Sequence, residues 1–435
     1  MDLQLPRGTR DILPEEVSKW HFLETEFKNV CENYQYEEIR TPVFEHTELF
    51  ERGVGDSTDI VSKEMYTFQD KGGRSLTLRP EGTASVVRAF VEHKLYGEVS
   101  QPIKMYYNEP MFRYERPQGG RQRQFTQMGI EALGSDDPSI DVEVISLAMT
   151  FFKKIGLTNI KLVINSLGDK ESRLKHREAL VAHFEPHIDE FCAECQVRLH
   201  KNPLRILDCK KDHDNPLIQS APSILDFLNE ESVAYFENVK NYLNALEIPF
   251  EIDPTMVRGL DYYNHTTFEI MSVEEGFGAK TTLCGGGRYH GLVREFGGPD
   301  TPGMGFGIGV ERILLALEKA DIEIPAKKPL EVYVITAQPE AELKAVTLVN
   351  KLRQNGISAE KDYLKRKFKA QLKDANRKNA VYTIILGEEE LQTGNYQLKN
   401  METGEQEAVS ETTILEKLSN TKGRNKNGKT YKLLR

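Results

Sequence analysis

Tyr107-Asn108-Glu109-Pro110-Met111-Phe112-Arg113-Tyr114-Glu115-Arg116, followed after Pro117-Gln118-Gly119-Gly120 by Arg121-Gln122-Arg123-Gln124-Phe125, is the stretch that decides the fold. Met105-Tyr106-Tyr107 and Phe125-Thr126-Gln127-Met128-Gly129-Ile130 have strand character, and the polar residues Pro117 to Arg123 part them. Residues 101–134 are therefore expected to form a long hairpin with a glycine-bearing loop. Period-two alternation puts Arg113 and Glu115 on one strand face, Phe112 and Tyr114 on the other. Four arginines fall within eleven residues. A guanidinium is planar and permanently charged, so it suits phosphate. A plainer reading stands beside this one: a solvated edge hairpin whose charges block aggregation. Gly119 and Gly120 give the loop freedom to close on a ligand.

Outward from the hairpin, Trp20, Leu23, Phe27, Val30 and Tyr34 recur at helical spacing, which predicts an amphipathic helix over 15–34. Lys161–Asn165, Thr267–Met271 and Thr281–Cys284 read as strands, and 311–319 as a helix burying Ile313, Leu314 and Leu317. Between about 170 and 245 the pattern turns helical and polar, which marks an inserted subdomain. Ile324-Pro325-Ala326-Lys327-Lys328-Pro329 reads as a linker. After it, strands Glu331–Ile335, Ser358–Lys361 and Val381–Leu386 alternate with helices over 340–355 and 365–378, the signature of a separate α/β domain with a largely parallel sheet. Three segments follow: a first domain over 1–325, a second over 326–420, and a basic tail over 421–435.

Composition narrows the function classes. At 435 residues, 39% hydrophobic and 29% charged, the chain is long enough for two or three domains and has a globular balance. No run of about 18 apolar residues offers a membrane span, and Met1–Gly8 lacks the apolar stretch of a secretory signal. Five scattered cysteines set no disulfide framework, so a cytoplasmic location is expected. A net charge of −10 argues against coating nucleic acid by bulk attraction. Two local basic sites remain: residues 361–380, with eight Lys/Arg against two Asp, and the last 14 residues, with six Lys/Arg and no acid.

Four further motifs carry chemistry. Gly303-Met304-Gly305-Phe306-Gly307-Ile308-Gly309-Val310-Glu311-Arg312 has the wrong spacing for a dinucleotide fingerprint. Its alternating glycines suit a backbone lying under a flat ring, and Arg312 opens the next helix, placed to meet phosphate. A tightly packed strand–helix junction explains the glycines equally. Gly278-Ala279-Lys280-Thr281 does not make a P-loop. Val257-Arg258-Gly259-Leu260-Asp261-Tyr262-Tyr263-Asn264 suits a polar pocket, or a turn with packing tyrosines. In Leu78-Arg79-Pro80-Glu81-Gly82-Thr83, Pro80 could open a helix, with Glu81 at its start able to hold an ammonium group or merely to favour the helix dipole. Cys192-x-x-Cys195 with Cys209, and His200 or His213 nearby, matches zinc spacing only in part, because no second C-x-x-C follows; no metal site is assigned.

Together these stretches resemble class II aminoacyl-tRNA synthetases, and within them the histidyl-tRNA synthetases of bacterial type, over residues 5–420. Pro6-Arg7-Gly8-Thr9-Arg10-Asp11 is similar to that family's start, and Glu38-Ile39-Arg40-Thr41-Pro42 to its motif 1. Arg113 to Arg123 resembles motif 2, and Gly307 to Arg312 motif 3. Arg258–Tyr263 and Cys284-Gly285-Gly286-Gly287-Arg288-Tyr289 resemble the stretches particular to histidine. The resemblance implies an α+β fold: a catalytic core on an antiparallel sheet with a helical insertion, then an α/β anticodon-binding domain. It implies Arg113 and Arg258 as catalytic. It implies a histidine pocket of Glu81, Gly82, Thr83, Arg113, Gln127, Glu131, Arg258, Tyr262, Tyr263 and Tyr289. Gln127 and Glu131, four apart on one strand, can share a face. ATP would meet Arg113, Glu115, Arg121, Phe125 and Arg312, and tRNA would meet Arg116, Gln118, Arg123, Lys367 and Lys369. On the expected helix 365–378, Leu364, Phe368 and Leu372 would form the buried stripe. The implied partners are ATP with Mg2+, L-histidine, tRNA(His) and a second copy docked through motif 1; no prosthetic group is implied. Two rivals keep parts of this pattern, a histidine-binding regulator of histidine biosynthesis and a non-catalytic tRNA-binding protein. The presence of Arg113, Arg258, Arg312 and residues 329–420 argues against both.

Overall fold

A computed structural model describes residues 3–55, 58–209, 211–256, 260, 262–274, 282–324 and 329–421. The chain divides into two compact units, residues 1–325 and 326–435.

The first unit is built on an eight-stranded sheet. Its order across the sheet is Glu37–Glu38, Ile103–Phe112, Gln124–Leu133, Gly303–Gly309, Thr282–Tyr289, Tyr263–Ser272, Ile160–Ser166 and Phe250–Ile252. Every pairing is antiparallel except the outermost at each edge. The hairpin expected from the sequence forms its second and third strands, with Ile103 opposite Leu133 and Phe112 opposite Gln124. The first strand ends at Phe112, one residue short of the arginine-rich stretch. The loop glycines occupy a defined turn: Gln118 and Arg121 exchange backbone hydrogen bonds, and Gly120 has φ +70°. They serve geometry first.

Alternation decides which face becomes the core. Met128, Ile130, Met304, Phe306 and Ile308 point to one side and join Phe27, Phe151, Phe152, Val239 and Phe268 in a single buried cluster. Helices Pro14–Asn33, Pro138–Lys154 and Glu230–Ala245 supply the other wall of that cluster. The opposite face is shared: Met105, Tyr107, Met111 and Leu133 pack under Val86, Val87 and Phe90 in a second apolar cluster, and polar side chains such as Gln127 and Glu131 lie beside it. A small three-stranded sheet, Phe44–His46, Tyr66–Gln69 and Ser75–Leu78, lies in the same unit and was not expected from the sequence.

Residues 170–245 are helical with a small core of their own, which includes Leu180, Phe184, Phe191, Cys195, Leu199, Ile206 and Cys209. Arg173 from this insertion donates to the Tyr263 carbonyl at 2.6 Å, which ties it to the central sheet.

The second unit carries a five-stranded sheet in the order Ala359–Lys361, Val332–Thr336, Tyr382–Leu386, Asn395–Asn400 and Gln406–Ser410. Only the first three strands are parallel; an antiparallel hairpin completes the sheet, so it is mixed rather than largely parallel. The expected helix 365–378 is shorter, Phe368–Arg377. Lys365 has φ +53°, and Arg366 is held by Asp362 and Asp374, which ends the preceding loop there. Of the expected apolar stripe only Leu372 packs inward, half-buried against Tyr333, Ile335, Ala375 and Ala380. Leu364 is 74% exposed and Phe368 is exposed at its edge, while Gln371, Asp374 and Ala375 face inward. Gln371 replaces apolar packing with hydrogen bonds to the backbone of Thr336 and Arg366.

Candidate functional site

On the sheet face turned away from the core lies a cavity of about 250 Å³. Its floor explains the alternating glycines. A Cβ on Gly303 would lie 2.3 Å from the Tyr289 ring, one on Gly305 2.1 Å from the Glu131 carboxylate, and one on Gly307 2.4 Å from Gln127 Nε2. Strand Gly303–Gly309 therefore places apolar residues in the core and nothing on the cavity side, and the side chains of its neighbours occupy the vacated space. The glycines lie beneath protein side chains that themselves line the cavity.

One group of lining residues is buried and polar. Glu131 accepts from Thr83 Oγ1 at 2.6 Å and from Tyr289 OH at 2.7 Å. Burial nonetheless pushes its carboxyl up to about 8. Glu81 accepts from the backbone N–H groups of Thr83 and Ala84 at 2.7 and 2.8 Å, and burial raises it also. The helix here starts at Thr83 with Gly82 as its cap, three residues later than Pro80 would have placed it. Glu81 satisfies N–H groups that a helix start leaves unpaired. Gly82 itself is packed, since a Cβ there would meet the Tyr107 ring at 2.4 Å. Tyr262 stacks edge-on against Tyr289, and Tyr263 lies beside it. Gln127 leaves its buried Oε1 without a hydrogen-bond partner. Such an oxygen is costly unless a ligand donates to it.

Glu131 makes stability depend on pH. A carboxyl raised from 4.5 to about 8 keeps its proton in the folded state after the unfolded chain has lost it. Its contribution is intact below about 4.5 and is lost as pH climbs toward about 8. The thermal midpoint of Glu131→Gln should fall less steeply than that of the parent across that window; parallel curves would show that Glu131 is not held protonated.

The second group is cationic. Arg113 donates from Nε to the Pro80 carbonyl at 2.7 Å and lies over the Phe125 ring at 5.2 Å. Its Nη1 is 3.7 Å from Glu115, and Arg121 reaches the same carboxylate at 3.3 Å. Arg312 sits in the first turn of helix Val310–Lys319 and donates to the Thr282 carbonyl at 2.6 Å. A Cβ on Gly120 would lie 3.2 Å from Arg312 Cγ, so the loop turn rests on that side chain. Burial and the nearby Arg121 charge lower the Arg312 guanidinium's proton affinity. Three guanidiniums thus face one cavity with Glu115 close among them, a charge arrangement that suits an anion.

Of the residues expected at the site, Glu81, Thr83, Arg113, Glu115, Arg121, Phe125, Gln127, Glu131, Tyr262, Tyr263, Tyr289 and Arg312 line this cavity. Arg258 and Asp261 lie outside the described residues. Arg116 and Gln118 are exposed on the loop, while Arg123 stacks on Tyr114 at 3.8 Å and is held at Gly8. Lys367 and Lys369 are exposed on the second unit. Tyr107 and Glu311 are among the lining residues not expected at the site. Tyr107 is buried opposite Gly129, whose missing side chain makes room for the ring; that pairing was the available signal. Glu311 accepts from the Thr126 N–H at 2.9 Å and is pushed up to about 7 by burial.

A class II aminoacyl-tRNA synthetase core is what this fold and site define: an antiparallel sheet whose open face gathers arginines beside a small polar pocket. A family model described as "Histidyl-tRNA synthetase" matches residues 8–313, and one described as "Anticodon binding domain" matches 331–421. A histidine–tRNA ligase of Listeria monocytogenes is 99% identical over 423 residues, 97% of this chain and 100% of its own. One from Anoxybacillus flavithermus is 63% identical over 95% of this chain and 98% of its own. The crystal structure of apo Staphylococcus aureus histidyl-tRNA synthetase superposes with a TM-score of 0.83 at 49% identity, covering 96% of this chain and all of that one. The chain belongs to the histidyl-tRNA synthetase family, and its second unit carries the family's anticodon-binding domain.

Proposed function

We propose that this histidine–tRNA ligase carries out its reaction in the cavity on the open sheet face, in two steps divided between the two groups of lining residues. The observation that carries this reading is the convergence of Arg113, Arg121 and Arg312 beside the buried cluster of Glu81, Thr83, Gln127, Glu131 and Tyr289. Histidine occupies the polar cluster. Gln127 and Glu131 address its imidazole nitrogens, and Glu81 its ammonium group. A guest lacking those groups would leave buried polar atoms unpaired, which is the strongest form of discrimination available to a pocket.

ATP enters as its magnesium salt, so the ion is part of the substrate. Arg113 holds the α-phosphate and the histidine carboxylate together, and Arg312 draws the γ-phosphate back. Phe125 offers its ring to the base. The carboxylate attacks the α-phosphorus in line and pyrophosphate leaves. No protein bond forms; alignment and neutralisation of the growing charge do the work. Arg258 supplies positive charge on the far side of that phosphate. The tRNA's terminal hydroxyl then attacks the adenylate carbonyl.

Recognition of tRNA draws on both units. Arg116, Gln118 and Arg123 belong to the loop above the cavity. On the second unit, Lys365, Lys367, Lys369 and Lys373 are exposed around Tyr363 and Phe368. Lysines for phosphates and exposed rings for stacking suit unpaired bases. A homodimer through Glu38–Pro42 is supported by exposed Val43, Phe44 and Phe68 beside it. A cytoplasmic location fits a translation enzyme, and among the described residues no helix is long and apolar enough to cross a membrane.

Mixing enzyme with α-labelled ATP and histidine, without tRNA, tests the first step. A stoichiometric burst of bound adenylate is expected. Arg258→Ala should slow the burst by about a hundredfold or more while histidine still binds. An unchanged burst would remove Arg258 from the chemistry.

A further inference from the structure

Away from the cavity, the insertion brings together four side chains that the reaction does not use. Cys192 caps helix Ala193–Lys201, Cys195 lies in its first turn, and Cys209 and Asp212 follow the short helix Pro203–Ile206. One donor atom from each lies within 4.8 Å of all the others. The partial zinc spacing in the sequence therefore closes in space, with Asp212 as the fourth member in place of His200 or His213.

We propose that Cys192, Cys195, Cys209 and Asp212 form a structural zinc site that staples the insertion. Tetrahedral zinc with Zn–S of about 2.3 Å and Zn–O of about 2.0 Å requires S···S edges of about 3.8 Å and S···O edges of about 3.5 Å. Cys192 Sγ and Cys209 Sγ are 3.7 Å apart, and Cys209 Sγ lies 3.3 Å from Asp212 Oδ2. A disulfide would need about 2.05 Å between sulfurs, and all three cysteines are free. Three soft sulfurs with one carboxylate select zinc over magnesium or calcium. Four protein ligands leave no open position, which makes the site structural rather than catalytic.

The surroundings support that role. Cys195 and Cys209 are buried in the insertion's small core, which has no sheet to organise it. Asp212 also accepts from the Cys192 N–H at 3.2 Å, which orients its carboxylate toward the sulfurs. Asp212 accepts from the Cys209 thiol as well, so the carboxylate already faces the sulfurs with which it would share a cation. Binding releases the three thiol protons to solvent and joins a helix start to a turn that no strand holds.

The full, untagged chain, purified under reducing conditions and dialysed, is expected to carry about one zinc per chain by elemental analysis. Cys209→Ser should carry less than about a tenth of that. Because that variant could unfold, a second measurement uses the parent protein. Exchange of zinc for cobalt should produce the intense sulfur-to-metal charge-transfer and tetrahedral ligand-field bands of a cobalt thiolate. Zinc no higher in the parent than in Cys209→Ser, absence of the cobalt bands, or a Cys192–Cys209 disulfide found by mass spectrometry after rapid alkylation would each overturn the proposal.

Discussion

Arg113→Ala is expected to lower histidine-dependent exchange of pyrophosphate into ATP by about a thousandfold, the cost of removing one preorganised donor from a charged transition state. Arg113 is fixed before any ligand arrives: the Pro80 carbonyl takes its Nε, the Phe125 ring supports its plane, and Glu115 lies beyond hydrogen-bond range at 3.7 Å. Its remaining donors are thus free to meet a phosphate and a carboxylate without reorganisation. The side chain is only partly buried and carries no core packing, so the variant should fold and melt like the parent. Lysine at this position should restore little, since one ammonium cannot replace a planar fork held from behind. An exchange rate within threefold or so of the parent would take Arg113 out of the transition state.

Gly307→Ala should raise the KM for histidine by about tenfold to two-hundredfold, with the KM for ATP nearly unchanged. The added methyl would lie 2.4 Å from Gln127 Nε2 and 2.9 Å from its Cδ, and the nearest atoms it meets all belong to that one side chain. Gln127 must move, and its buried Oε1 moves with it. Gly305 is a different case. A methyl there would meet the Ile130 carbonyl at 2.4 Å as well as the Glu131 carboxylate, so backbone as well as pocket would be displaced. Gly307→Ala therefore reads the pocket separately from the fold. Unchanged histidine KM would mean that Gln127 does not touch the substrate.

What could be read from the sequence followed from regular periods. The hairpin 103–133 was legible because its strands alternate cleanly, and Arg312 because a helix pattern begins beside it. The cavity-facing glycines were visible as a pattern, but their cause was not: the groups that fill their space come from strands Gln124–Leu133 and Thr282–Tyr289, on either side. Histidine was legible only through the family resemblance, since tyrosines and carboxylates fit many ligands. The polar packing of helix Phe368–Arg377 escaped notice because Gln371 and Asp374 are buried through hydrogen bonds and ion pairs, which hydrophobic period cannot register. The hairpin Asn395–Ser410 was missed for a similar reason: its strands mix lysine, glutamine and glutamate with few apolar residues. Asp212 carried no signal, because an acid three residues after a cysteine is common.

The central claim is that the cavity selects and activates histidine. Pyrophosphate exchange into ATP, run with the purified chain against each of the twenty amino acids and without tRNA, tests it most directly. Exchange is expected with histidine and should remain near background with the other nineteen. No exchange with histidine, or equal exchange with a second amino acid, would contradict it.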